Sequence, residues 1–290
     1  MAARKTHPHK VTYKTVAIII FVVFGLWTLI PIIFMAFASL KYQVDIFAMP
    51  KPDDWLGLAK WFVFKPTFHN YATLFTPPRG HFIHHLRNSA ILALVPTAIC
   101  IPLGLLASYA LSRGKMPGKE HIFFWVITTR MAPPVVICVP LYFLFKSLGI
   151  LQTLPGMIIA YTTFSLPFTI WLLRGFIDAV PIEIEEAARL DGLSRFRVFT
   201  NIVIPLIRPG MGAVIMLVTL FCWNEYLFTL ILGGRSWKTM PVGMTELETA
   251  MGVYWGQVMA GGVIIIVPMV IFGLIVRRYI VKGLTMGALQ

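Results

Sequence analysis

"EEAARLDGLSRFRVFTNIVIP", residues 185–205, carries six charged side chains in 21 positions, in a chain where charged residues make up 13% of the total. An apolar run stands on either side of it. Its local signals are helical. Pro181 suits a first helical turn, where its missing N–H costs nothing, and Glu183, Glu185 and Glu186 favour the positive end of the helix dipole. Ala187, Ala188 and Leu190 continue the helix, and Gly192 is a C-terminal stop. Ser194 is placed to cap a second helix. The apolar positions Phe196, Phe199, Ile202, Val203 and Leu206 recur there at helical spacing, and this helix meets Pro205 and Pro209 on its way into the next apolar run. On these signals alone the stretch is either a solvated loop or a helix, glycine turn and helix presented to a partner. In the second case Ala187 and Ala188 would allow close approach.

Outward from this stretch the chain is strongly apolar. Of its 290 residues 58% are hydrophobic, and the mean hydropathy is +0.78. A soluble domain has about 45–50% apolar and about 25% charged residues. Six apolar runs, at about 16–38, 88–111, 121–145, 155–177, 209–233 and 258–276, approach or exceed the roughly 20 residues that cross about 30 Å of hydrocarbon. The fold expected is an all-α membrane protein with six transmembrane helices. The small residues "AFAS" at 36–39 look like a signal-peptide cleavage site, but the first run exceeds the roughly 7–15-residue apolar core of such a peptide. A retained helix is expected.

The net charge of +13 is explained by basic loops beside membrane helices rather than by nucleic acid. Lys and Arg gather in the N-terminus, at Arg113, Lys115 and Lys119, in residues 174–208 and in the tail. That bias puts these segments and both termini in the cytoplasm. The expected layout is a cytoplasmic N-terminus at 1–15, a six-helix transmembrane domain at 16–277 and a cytoplasmic tail at 278–290. Residues 39–87 form the longest external loop, and 178–208 form a cytoplasmic loop. The external loop holds Pro50, Pro52, Pro66, Pro77, Pro78, Trp55 and Trp61, and packs on the membrane surface or meets a partner protein. Cys100, Cys138 and Cys222 fall inside apolar runs without CxxC spacing and read as small buried hydrophobes. No histidine pattern suggests a metal site.

Charged residues within spans are costly and mark function by default. Arg130 sits near the middle of the third run and Glu225, beside Asn224, in the outer part of the fifth. In "TTRMAPPVVICVP" Pro133 cannot donate to the carbonyl of Thr129, nor Pro134 to that of Arg130. A kinked span with two free carbonyls is expected, and such groups need protein or water around them. Three readings stand. Arg130 lines a substrate cavity, or pairs structurally with Glu225, or snorkels to an interface. Trp223, Tyr226 and Phe228 are candidates for stacking on a solute in the pathway, with core packing as the alternative.

The stretch at 185–205 resembles a family signature. The permease subunits of bacterial ATP-binding-cassette importers carry Glu-Ala-Ala, three residues, Gly, nine residues, Ile, one residue, Leu-Pro. Here it reads Glu186-Ala187-Ala188, Gly192, Ile202 and Ile204-Pro205, with Ile in place of Leu at 204. "NSAILAL" at 88–94, "LASYALSR" at 106–113, "LPFTIWLLRGF" at 166–176, "WNEYLF" at 223–228 and "VKGLTMGA" at 281–288 are similar to the maltose-type branch for carbohydrates and polyols. The resemblance implies a type I importer permease with both termini cytoplasmic, in a bacterial inner membrane. Residues 182–192 would be its coupling helix, with Glu185, Glu186, Ala187, Ala188, Arg189, Asp191 and Gly192 meeting the ATPase. It implies a second homologous permease, two copies of an ATP-binding subunit and an extracytoplasmic solute-binding protein as partners, with lipid around it and no nucleic acid. The substrate pathway would draw on Arg130, Thr129, Asn224, Glu225, Trp223 and Tyr226.

No phosphate-cradling P-loop is visible, since "RGKM" and "PGKE" lack the Ser or Thr and the earlier glycine. ATP and magnesium would therefore sit on partner subunits, with no cofactor and no catalytic residue in this chain. A self-sufficient secondary transporter would show internal repeats and acidic midplane residues, and an intramembrane enzyme a Ser/His or paired-Asp constellation. The sequence shows neither.

Overall fold

The computed structural model describes residues 8–47, 64–76, 81–249 and 252–287. Among them five helices are long and apolar enough to span a membrane: Lys14–Ser39, Phe82–Arg113, Leu154–Asp178, Arg195–Trp223 and Trp255–Arg277. A sixth span is broken, with Lys119–Met131 and Pro134–Ser147 meeting at 93°. Pro50, Pro52, Trp55, Trp61, Pro77 and Pro78 lie outside the described residues.

The boundaries depart from the sequence reading in three places, each for a local reason. The second span begins at Phe82, not at 88, because the Asn88 amide in its second turn finds acceptors. Asn88 Nδ2 donates to the carbonyls of Ser236 and Lys238 at 3.0 Å each. The third span breaks instead of kinking. A residue before proline is pushed out of the helical region; Ala132 and Pro133 both precede a proline, and both are extended, with ψ near 130°. The fifth span starts at Arg195 and ends at Trp223, so the helix capped by Ser194 and the membrane span are one element. Ahead of Pro205 it widens into a π-turn over Phe199–Val203, the kind of local adjustment that re-satisfies backbone groups freed by a proline in a membrane helix.

Two compact units form. One comprises residues 1–80 and 247–265, the other 81–246 and 266–290. In the first, the segment after the opening span is tied down by Asn70, whose Nδ2 donates to the carbonyls of Ser39 and Lys41 at 2.8 and 2.7 Å. Gly262 lets the last helix approach Met35, whose sulfur would lie 2.6 Å from an added Cβ. The opening span exposes Phe21 and Trp27, each 79% accessible, as suits a helix facing lipid or another subunit.

The second unit is built on close helix approach at small residues, the usual way membrane helices pack without a hydrophobic driving force between them. Gly104 of the second span sits against Thr169 and Leu173 of the fourth, and Ser108 Oγ donates to the carbonyl of Ile170 at 2.9 Å. Gly210 of the fifth span faces the Phe176 ring, which an added Cβ would meet at 2.3 Å. Gly210→Ala should therefore overpack this contact by about 1–3 kcal/mol. A lowered Tm of the detergent-solubilised protein, partly recovered by adding Phe176→Leu, is the expected result; an unchanged Tm contradicts the packing described. Cys100, Cys138 and Cys222 are all buried and free.

Candidate functional site

The charged segment folds as Ile182–Leu190, nine residues, entered from Pro181. It stops where Gly192 takes φ +88°, with Gly192 N–H donating to Arg189 O and Leu193 N–H to Ala188 O, both at 3.1 Å. Ser194 then caps the next helix, accepting from the Arg197 N–H at 3.4 Å. A short helix on its own is not stable in water, so its position depends on what its buried side touches. That side holds Glu185 and Ala188. The outer side shows Ile182, Glu183, Glu186, Ala187, Arg189, Asp191 and Gly192, with Leu190 90% exposed and Phe196 beyond the turn 67% exposed.

Two sequence expectations change here. Ala187 is open to a partner, whereas Ala188 packs inward. Glu185 does not point outward either. Its Oε1 accepts from Arg113 Nε at 2.7 Å and its Oε2 from the Tyr109 hydroxyl at 3.0 Å. Beside this pair lies a second charged group at the same end of the bundle. Arg174, 9% exposed, reaches Glu120 at 2.6 Å and Asp178 at 3.4 Å and stacks over the Phe123 ring at 4.0 Å. Ser112 donates to Asp178, and Lys119 to the Ser112 carbonyl at 3.0 Å. The sequence singles out Arg113 and Lys119 only for orientation, and gives Tyr109, Ser112, Glu120, Arg174 and Asp178 no role. The i,i+4 spacing of Tyr109 with Arg113, and of Arg174 with Asp178, was the available signal.

At the break in the third span, Arg130 lies in a short 3₁₀ turn over Thr129–Met131. Its Nη1 donates to the Phe164 carbonyl at 3.0 Å, and its guanidinium lies over the rings of Phe164, Phe168 and Phe221 at 4.1, 5.4 and 5.4 Å. A cavity of about 390 Å³ opens beside it, walled by Trp125, Thr129, Arg130, Ile137 and Phe164 among mostly apolar side chains. The Thr129 hydroxyl is occupied by the Val126 carbonyl at 2.7 Å.

Of the other candidates, Phe228 joins this wall, whereas Asn224, Glu225, Trp223 and Tyr226 do not. Glu225 stands in the break after the fifth span, where its Oε1 accepts from the Phe228 N–H at 2.9 Å and caps the short helix Leu227–Leu232. No ion pair between Arg130 and Glu225 occurs within 4.0 Å, so the structural-pair reading is corrected. The guanidinium is held by ring faces and one carbonyl instead. Asn224 turns back to the Leu220 carbonyl at 2.9 Å. Trp223 and Phe228 are buried, at 5% and 1% exposure, and pack in the bundle, with Phe228 edge-on to Phe164. Tyr226 is 38% exposed.

Five apolar spans and a sixth broken at 93°, with a cavity beside the break and a short amphipathic helix carried between two spans, suit a membrane transport subunit. Residues 100–286 match the family described as "Binding-protein-dependent transport system inner membrane component", and the chain belongs to that family. It is thus the inner-membrane permease component of an importer of the ATP-binding-cassette class. It is 30% identical over 272 residues, 93% of each chain, to the inner membrane ABC transporter permease protein YcjP of Escherichia coli strain K12. It is 34% identical over 229 residues, 78% of this chain and 82% of the relative, to the trehalose/maltose transport system permease protein MalG of Thermococcus litoralis. The fold is also that of a solved bacterial ABC transporter involved in the import of the acidic polysaccharide alginate, with a TM-score of 0.75 and 19% identity over 96% of this chain and 100% of that one.

Proposed function

We propose that this subunit forms half of a translocation pathway for a sugar, polyol or related solute, and that residues 182–192 couple it to an ATPase. The observation that carries the coupling assignment is the outer face of that helix. A nine-residue helix at a bundle end leaves Leu190 and, past the turn, Phe196 in the open, beside the exposed Glu186 and Gly192 of the family signature. Exposed large apolar side chains rimmed by charge suit a protein interface. The carbohydrate assignment follows from relatives such as the trehalose/maltose permease named above. A solute-binding protein would deliver the solute outside, and ATP and magnesium would act on the partner ATPases.

The pathway assignment rests on Arg130 and the adjoining cavity, with Thr129 beside it; Asn224, Glu225, Trp223 and Tyr226 do not join them. The deciding experiment is reconstitution of this chain with its second permease and ATPase in proteoliposomes, with uptake of labelled disaccharides driven by a solute-loaded binding protein. Uptake that requires ATP is expected. Uptake by this chain alone, without ATPase, would establish a secondary transporter instead.

The orientation carries its own prediction. With Cys100, Cys138 and Cys222 replaced, a cysteine at exposed Tyr42 should label from outside and one at exposed Arg195 only from inside. Labelling of both from one side rejects the proposed topology.

A further inference from the structure

We infer that Arg113 is the positioning residue that carries displacement of the helix Ile182–Leu190 into the second and fourth spans, acting with Tyr109 through the buried carboxylate of Glu185. The inference rests on the proposed role of residues 182–192 as the segment that meets the ATPase. It adds the path by which motion leaves that segment.

The bonding is concentrated on one guanidinium. Arg113 Nε donates to Glu185 Oε1 at 2.7 Å, while its Nη2 donates to the carbonyls of Ile177 and Val180 at 2.9 and 2.5 Å. Ile177 lies in the last turn of the fourth span and Val180 two residues past its end, where the helix dipole favours a cation and carbonyls lack helical partners. Arg113 itself is the last residue of the second span. One turn earlier, the Tyr109 hydroxyl takes the other carboxylate oxygen, and its ring lies 4.7 Å from that of Phe199 in the π-turn that begins the fifth span. Four segments therefore meet at a single arginine–carboxylate–phenol group. Glu185 is 5% exposed, and the Arg113 side chain 15%.

A largely buried, hydrogen-bonded ion pair cannot slip without leaving a charge uncompensated. A push on Leu190 and Glu186 then moves the second and fourth spans together with the helix. Arginine is required for this geometry. Its planar fork reaches the carboxylate and both carbonyls at once, whereas a lysine ammonium is a point charge on a flexible stem.

The test separates transmission from folding. In the assembled complex with a solute-loaded binding protein, three quantities are measured: recovered complex, ATP hydrolysis, and solute taken up per ATP. Arg113→Met with Glu185→Leu removes both charges, so no lone buried charge remains and the complex should still assemble. Uptake per ATP is expected to fall about tenfold, the size of a typical coupling between sites. Arg113→Lys alone should recover part of it. Normal uptake per ATP in the double variant overturns the inference. So does failure of that variant to assemble, since the group would then only hold the fold. Failure of the coupling-helix reading looks different: Glu186→Lys and Gly192→Val would still dock the ATPase.

Discussion

Glu186→Lys is expected to abolish ATP-driven uptake while the subunit still inserts in the membrane. The carboxylate is exposed, makes no ion pair among the described residues, and stands near Arg189 and Arg195. Its replacement should cost the isolated chain little, within about 0.5 kcal/mol, as for most surface changes. At the docking face the new ammonium adds to that positive charge. A like-charge placement at an interface costs several kcal/mol, and about 3 kcal/mol weakens docking by roughly 100-fold. Gly192→Val should act on the same event by another route. An added Cβ meets nothing within 4 Å, so space is not the obstacle, but φ is +88°. A β-branched residue is an outlier in that region, and the turn that aims the helix must change. ATPase co-purification and uptake are the two readouts. Full docking and transport in both variants would remove the coupling assignment.

Arg130→Ala should lower uptake strongly while the complex still assembles. The guanidinium is fastened by one carbonyl and three ring faces and makes no ion pair within 4.0 Å among the described residues, so its removal breaks no salt bridge. Ring-face contacts contribute roughly 0.5–2 kcal/mol each, which sets the loss of stability. If the cavity beside it is the pathway, the loss of donors at its wall falls on transport and on binding-protein-stimulated ATP hydrolysis. Arg130→Lys keeps the charge but not the planar fork, and should recover hydrolysis more than uptake. Undiminished uptake in Arg130→Ala ends the pathway assignment.

The span count and the coupling motif were legible in the linear chain because both are local. Apolar length against the bilayer sets where helices cross, and Pro181, Gly192 and Ser194 mark helix ends within a few residues of themselves. Even the break at Ala132–Pro134 was written locally, in the rule that a residue before proline leaves the helical region, although the expectation of two lost hydrogen bonds foresaw only a kink. What no local signal carried was direction. Glu185 and Glu186 are adjacent in sequence and identical in chemistry, yet one is buried on Arg113 and Tyr109, 72 and 76 residues away, while the other faces out. Arg130 and Glu225 looked like the natural charge pair of the bundle. Tertiary packing instead gave the arginine to the rings of Phe164, Phe168 and Phe221, and the glutamate to a helix cap one turn from itself. A span's hydropathy records that a side chain leaves water, and only the arrangement of neighbouring helices decides what it meets there.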